Sequence, residues 1–372
     1  MRESRKALRK SLSPILAEQK HLATNIQKGL NSIEEEAQRV AEIMYAAPQI
    51  LEDLDQKFSE TTKLTRSDMI FLFIATGLQC LRQYVFVNDN FRITHGQGDA
   101  VVKKIVPKSW QDILLASVPY DAIMREESFK DLGISTGLSG TTHRYRTLGH
   151  DSVFGWVFGP VNIITDSLTK SDVITTYSVS NMKINGLYSA GTIGAFNDCY
   201  SAACSEKHLI PVAVARQALH FGSDYFTTQG LPLPLLGTIN NDFAKELVTK
   251  FNIDMYSITR GAALSMLINS IITYVHTLFY NDSSGISPEI YEVRTRKILS
   301  YSNAIASGSN IIYVAVNGAL GNTSQLKTLD IGGLLVTIYR IISDYRYVTQ
   351  IKKEFLEREF YKIVMNSNQK VQ

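Results

Sequence analysis

The first sixty residues constrain the fold more than any other part of the chain, because apolar residues recur there at every third or fourth position. This spacing is close to a heptad repeat and predicts an amphipathic helical extension over residues 1–60. Pro14 and Pro48 are expected to divide the extension into segments. The apolar positions are Leu8, Leu12, Ile15, Leu22, Ile26, Leu30, Ile33, Val40, Met44, Leu51, Leu54 and Phe58.

Two roles are open for this extension. It either packs on the rest of the chain or pairs with a second copy, which would make the protein a homo-oligomer through residues 1–60. The basic residues near its start could also contact an anionic membrane surface. These residues are Arg2, Arg5, Lys6, Arg9 and Lys10.

The rest of the chain, residues 61–372, is predicted to be a helical body. Neither a series of alternating strands nor a βαβ period appears, although the β-branched segment 173–190 could form a strand. The fold class expected is therefore mostly α, a single large helical domain with an N-terminal amphipathic extension. Helical patterns cover residues 69–87, 108–125 with a break at Pro119, 208–221, 242–252, 258–280, 288–320 and 330–363, and residues 88–98 read as a loop.

Charge and cysteine content exclude several classes of protein. The 372 residues carry 38 basic and 35 acidic side chains, a balance that does not support a nucleic-acid partner. Three cysteines, Cys80, Cys199 and Cys204, are too few for a secreted disulfide framework, so a reducing, cytoplasmic location is favoured.

Two apolar stretches bear on membrane association. Residues 69–81 are too short to span about 30 Å of hydrocarbon as a helix. Residues 261–280 are long enough, but they carry polar side chains that are expensive in lipid. We therefore expect a buried helix of a soluble protein, located in the cytoplasm or peripherally at the inner membrane. The polar residues of the longer stretch are Ser265, Asn269, Ser270 and His276.

Candidate metal ligands lie in a glycine-rich segment at residues 133–160. His143, His150 and Asp151 fall within nine residues there, and imidazole and carboxylate groups are ligands that zinc, manganese and iron accept. Asp151 is the candidate general base or support for a ligand. Arg144 is the candidate contact for a small anionic substrate, because its guanidinium matches two phosphate oxygens at once.

A second pair of candidate ligands lies on a predicted helix over residues 211–226. His220 and Asp224 are four residues apart, so they share a face of that helix and can bind one divalent metal. The following Gln-Gly-Leu-Pro turn, residues 229–232, would end the helix close to the pair.

These two stretches resemble a known family. HFGSDYFTTQGLPLP, residues 220–234, and THRYRTLGHD, residues 142–151, are similar to motifs of the bacterial LexA-regulated, inner-membrane-associated, metal-dependent hydrolases. The resemblance covers about 25 residues and departs from the family where Thr228 and Gln229 replace a proline. It implies a divalent metal held by His143, His150, His220 and Asp224.

The sequence therefore leaves two functions open. The first is a metal-dependent hydrolase, most plausibly a phosphoesterase that uses a metal-activated water. The alternative is a non-enzymatic helical protein that oligomerises or docks on a membrane through residues 1–60, with its histidines as core residues.

Overall fold

The protein is mostly α-helical, as its hydrophobic periodicity predicts. The computed structural model describes residues 2–85, 92, 94–123, 136–140, 142–227 and 230–366. The basic side chains at residues 2–10, part of the glycine-rich segment and residues 228–229 lie outside what it describes. The helices are α1 Arg2–Thr61, α2 Arg66–Val85, α3 His95–Ile105, α4 Lys108–Leu114, α5 His143–Arg146, α6 Gly155–Ile164, α7 Gly191–Ser205, α8 Leu209–Tyr225, α9 Leu236–Ile239, α10 Asn241–Phe251, α11 Met255–Leu278, α12 Pro288–Ala319 and α13 Ile331–Asn366.

The chain folds into two compact units, each with its own contacts. The first unit comprises Met1–Lys63, Asn281–Arg294 and Tyr345–Gln372. Its apolar core joins α1 to the start of α12 and the end of α13, and consists of Phe58, Ile290, Val293, Ile351 and Phe355. The second unit comprises Leu64–Tyr280 and Thr295–Asp344.

Helix α1 corrects one expectation. Its 60 residues run through both Pro14 and Pro48 without a break, so the predicted division into segments is wrong. A proline costs a helix one hydrogen bond and a steric clash with the preceding turn. The surrounding helical turns tolerate two such defects, which are 34 positions apart.

A small antiparallel sheet supports the region where the predicted site residues lie. The strands are β1 Ser167–Thr169, β2 Thr176–Ser180 and β3 Lys183–Leu187, in the order β1-β2-β3. Two of them fall within the β-branched segment 173–190, whose composition allows a strand. Leu168 and Tyr177 face each other across β1 and β2 and join a buried core with Tyr120 and Ala213. This core packs the sheet against the 3-10 turn Pro119–Asp121 and helix α8.

Helices α2, α11 and α12 share a second core within the same unit. Phe71 and Ala75 pack there against Ile272 and Leu299. Helix α11 was expected to be buried, but only 22% of its most apolar 18-residue window is covered. Within the described residues, α11 is the single helix long and apolar enough by itself to cross a membrane. Helix α3 also begins at His95, inside the segment expected to be a loop.

Candidate metal centre

The first element of the site is the 3-10 turn Pro119–Asp121. The Tyr120 side chain is fully buried, and its hydroxyl donates to Gln217 Oε1 of α8 at 2.5 Å. The Gln217 amide in turn donates to the Gly149 carbonyl at 2.8 Å. A side chain at Gly149 would overlap the Tyr120 ring, so glycine allows the turn before His150 to approach. These contacts place Asp121 opposite His150.

Two histidines enter from the segment that follows. His143 begins α5, and its Nδ1 lies 3.0 Å from the Ser139 carbonyl, which can only accept a hydrogen bond. Thr147 Oγ1 donates to the His143 carbonyl, so it accepts from His150 Nδ1 at 2.7 Å. Both imidazoles are therefore protonated at Nδ1 when neutral, and both keep the Nε2 lone pair for a ligand.

Helix α8 supplies the other predicted pair. His220 and Asp224 lie on the same face of the helix, with His220 Nε2 at 3.2 Å from Asp224 Oδ2. The same carboxylate oxygen lies 3.8 Å from His150 Nε2, and the two Nε2 atoms are 3.3 Å apart. The two histidine-containing stretches thus meet in space, as a shared site requires.

Asp121 lies at the centre of this cluster. Its Oδ1 is 2.9 Å from His150 Nε2, 3.6 Å from His220 Nε2 and 3.7 Å from His143 Nε2. Bonds of about 2.0–2.2 Å to one metal place neighbouring ligand atoms roughly 3.0–3.5 Å apart. The three distances within Asp121, His150 and His220 are 2.9, 3.3 and 3.6 Å, close to this range, and these residues form the candidate triad.

The tautomers strengthen this assignment. With its proton on Nδ1, neutral His150 directs an unprotonated Nε2 at the Asp121 carboxylate oxygen 2.9 Å away. Two lone pairs at that distance repel each other unless a proton or a cation lies between them. The pattern of donors therefore fits a bound cation better than a set of hydrogen bonds.

Burial and charge keep most of these groups in the states that bind metal. Burial lowers the pKa of His150 to about 4, and it also lowers the pKa of His143, so both are neutral near pH 7. Burial opposes ionisation of Asp121, but His220 and His150 outweigh it and hold the pKa of Asp121 well below its ordinary value. Burial acts on His220 too, yet Asp121 and Asp224 raise its pKa. His220 is thus the ligand that competes with a proton.

Arg144 has a different position from the one expected. It is buried, donating from Nη2 to Asp224 Oδ1 at 2.5 Å and from Nη1 to Thr227 Oγ1 at 3.0 Å. Both terminal nitrogens are therefore engaged inside the protein. Arg144 orients the Asp224 carboxylate, and this geometry does not suit the predicted contact with a substrate.

Asp151 also requires a correction. Its Oδ1 accepts from the backbone N–H groups of Val153 and Phe154, each at 2.9 Å, and its Oδ2 accepts from Leu235 N at 2.6 Å. Three backbone donors occupy a carboxylate that is 4% exposed. Asp151 thus links the start of α6 to the segment before α9 through hydrogen bonds. Because both of its carboxylate oxygens are engaged in this way, the role of general base does not fit it.

A cavity of about 490 Å³ gives access to the cluster. Asp121 and His220 form part of its wall, between α3, α4 and α8. Arg216 and Lys103 also line it. Arg216 donates to the carbonyls of Ala116 and Ser117, and within the described chain no carboxylate pairs with it. Asp99 and Asp112 line the cavity as well, so it joins the cluster to both cationic and acidic side chains.

Asp121 is the residue that sequence reasoning missed. It lies 22 residues before His143 and has no other candidate ligand near it in the sequence. The one local signal is a carboxylate between two residues, Tyr120 and Ala122, that are completely buried. A charged side chain in such a position needs a partner from elsewhere in the fold.

Comparison of the chain with protein-family models, with curated proteins and with solved structures finds no match.

Proposed function

We propose that the protein is a metal-dependent hydrolase, most plausibly a phosphoesterase. The observation that carries the proposal is the convergence of Asp121 Oδ1 with the Nε2 atoms of His150 and His220 beside an accessible cavity. His143 and Asp224 extend this triad on either side. Nitrogen and oxygen donors of this kind suit zinc, manganese or iron.

The residues around the triad have separate roles in holding the metal ligands. When bound, a divalent ion would lower the pKa of a water and polarise a phosphoryl oxygen. Ser139 and Thr147 hold the His143 and His150 rings in the tautomer that binds metal. Arg144 fixes Asp224.

Two cationic side chains of the cavity are suited to an anionic substrate. Arg216 is held in place by two backbone carbonyls, and its buried Nε has no hydrogen-bond partner among the described residues. Together with Lys103 it offers positive charge on the wall that also carries Asp121 and His220. A guanidinium and an ammonium group beside a metal are suited to the oxygens of a phosphate ester.

Metal analysis tests the proposal directly. The wild-type chain should retain close to one divalent ion per molecule, and the Asp121→Asn, His220→Ala double variant should lose it. His208→Ala is the matched control, because His208 is 70% exposed beside Glu206. Retention of metal by the double variant would refute the assignment.

Hydrolysis is tested on the same preparations. Chromogenic phosphate monoesters and diesters should be cleaved by the wild-type chain, and a chelator should abolish the cleavage until metal is restored. Arg216→Gln should raise KM while the metal content stays unchanged. If the wild-type chain binds metal but cleaves neither ester, the phosphoesterase activity is refuted, whereas the metal site is not.

A second candidate function rests on helix α1. Its heptad positions from Ile26 to Met44 stay exposed along one stripe, with exposures of 55% for Ile26, 54% for Leu30, 67% for Ile33, 45% for Val40 and 69% for Met44. Ile26, Ile33 and Val40 are β-branched and occupy one core position of the heptad, whereas Leu30 and Met44 occupy the other. This pattern favours a parallel two-stranded coiled coil. We propose that this stripe pairs with α1 of a second copy.

The mass of the protein tests this pairing. Ile33→Glu should convert a dimer to a monomer, whereas Ser32→Glu, at the exposed neighbouring position, should leave the mass unchanged. A wild-type monomer would refute the pairing without affecting the proposed hydrolase.

A further inference from the structure

Part of the second unit has an unusually apolar exterior. It consists of α2, α11, α12 from Thr295 onward and α13 up to Asp344, which we call the four-helix bundle. Phe73 is 70% exposed on α2, and Leu267, Ile305 and Ile338 are 55%, 52% and 47% exposed on the other three helices. No exposed residue in 69–85, 261–279, 298–320 or 331–344 is charged.

The interior of the four-helix bundle holds a buried polar network beside its apolar core. Gln79 Nε2 donates to Asn269 Oδ1 at 3.2 Å, and Asn303 Nδ2 donates to the same oxygen at 2.8 Å. Ser265 Oγ donates to Asn303 Oδ1 at 3.1 Å, and all four side chains are buried. A helix of a water-soluble protein has the opposite arrangement, with its apolar stripe inside and its polar face in solvent.

Two pairs of ionisable side chains are buried inside the four-helix bundle. Arg82 Nη2 lies 2.6 Å from Asp330 Oδ2, and each side chain is about 5% exposed. His276 Nε2 lies 2.9 Å from Asp68 Oδ1. Ionisable side chains within a membrane behave in this way, because they face the interior and pair with one another.

Three of the four helices are long enough to cross a bilayer. The 20 residues of α2 and the 24 of α11 correspond to roughly 30–36 Å at about 1.5 Å per residue. The hydrocarbon core of a bilayer is about 30 Å thick. In α12, no charged residue occurs from Ile298 to Ala319, a stretch of comparable length.

We propose that the four-helix bundle is embedded in a lipid bilayer, with its apolar exterior against the acyl chains. Lipid explains the surface better than a second copy does. A two-fold interface covers one side of a molecule, whereas here all four helices expose apolar side chains, and the segments 69–85, 261–279, 298–320 and 331–344 expose no charge. Acyl chains can cover every side of the bundle at once. The polar side chains, which lipid cannot hydrogen-bond, then find their partners in the interior.

Labelling of the full chain tests the proposal. The protein would be reconstituted in vesicles of phosphatidylcholine and phosphatidylglycerol and exposed to a photoactivated carbene probe confined to the acyl region. Peptides from α2, α11, α12 and the start of α13 should carry the label, and peptides from α10 should not. Alkaline carbonate should leave the chain in the membrane fraction, and detergent should release it.

A pair of matched variants adds a second measurement. Ile305→Arg should lower the membrane-recovered fraction roughly tenfold, because arginine at a lipid-facing position is costly. Ile193→Arg, at a 74% exposed isoleucine of α7, should leave that fraction unchanged. The labelling uses the wild-type chain, so it stands even if Ile305→Arg does not fold.

Two results would overturn the proposal. One is a chain that remains in aqueous solution without detergent as an oligomer of defined mass, with no label on the four helices. The other is equal labelling of α10, which would indicate unspecific adsorption. Neither result bears on the metal content, so failure here is distinguishable from failure of the proposed hydrolase.

Discussion

The hydroxyl of Thr147 offers a sharp test of the proposed metal centre, because it contacts a ligand without contacting the metal. Thr147 Oγ1 accepts the Nδ1 proton of His150 at 2.7 Å and donates to the His143 carbonyl at 2.9 Å. Thr147→Val removes both hydrogen bonds and retains the shape of the side chain. The His150 ring then loses the contact that fixes its tautomer and its orientation.

The expected loss follows from the role of such partners. Removing the group that orients a metal-ligating histidine lowers metal affinity about 10–100-fold, which corresponds to roughly 1.4–2.8 kcal/mol of binding free energy. The metal-free protein should also lose about 1–3 kcal/mol of unfolding free energy, because the buried Nδ1–H is left without an acceptor. Competition with a chromophoric chelator measures the first quantity, and unfolding in the presence of chelator measures the second.

Two variants make the test specific. Thr147→Ser keeps the hydroxyl and should restore most of the affinity. Thr165→Val removes a hydroxyl that also donates to the carbonyl four residues back, but that pairs with Ser167 instead of an imidazole. It should reduce stability without changing metal affinity. Equal metal affinity in Thr147→Val and the wild type would refute the assigned tautomer and with it the proposed coordination by His150.

Three further predictions concern the groups around the cluster. Metal binding near pH 7 should release up to one proton, and affinity should rise with pH, because Asp121 and Asp224 raise the pKa of His220; calorimetry in buffers of different ionisation enthalpy measures this. Arg144→Met should cost the metal-free protein about 3–5 kcal/mol of unfolding free energy, since the buried Asp224 charge loses its partner, and added metal should restore part of it in a thermal melt. Asp151→Ala should cost about 1.5–3 kcal/mol of unfolding free energy through its lost backbone hydrogen bonds, with metal content unchanged in elemental analysis.

Each of these predictions has an outcome that contradicts it. The range from about pH 6 to 8 surrounds the ordinary pKa of histidine. If the metal affinity does not change with pH in this range, His220 is not a ligand. A metal-free Arg144→Met protein as stable as the wild type would show that Asp224 has no need of its partner. Loss of metal in Asp151→Ala would show that Asp151 takes part in the metal site, as its place in the sequence indicated.

The helices were predictable because their signal is local. The apolar period of residues 1–60 follows the repeat of a single helix, and it correctly indicated α1. The spacing of His220 and Asp224 is equally local, because four residues make about one helical turn. Neighbours in sequence become neighbours on one face whatever the rest of the chain does.

Asp121 could not be found in this way. Its contacts with His150 and His220 join residues 29 and 99 positions away, and they depend on the packing of Tyr120 against Gln217. Nothing in the local spacing around Asp121 encodes that packing. The same limit explains Asp151, whose place beside His150 in the sequence suggested a role that its backbone hydrogen bonds exclude.

The sequence by itself determined the helical content, the heptad of α1 and the pairing of His220 with Asp224. The tertiary structure alone decided which side chains meet at Asp121 and which side of the four-helix bundle faces outward. The mean hydropathy of a sequence window falls when it includes Asn269 or Asn303, and this lowers the score of a membrane helix. Such an average does not distinguish residues inside a bundle from residues on its surface. Only the packing of several helices defines an interior, and it is this interior that holds the polar groups and leaves an apolar surface.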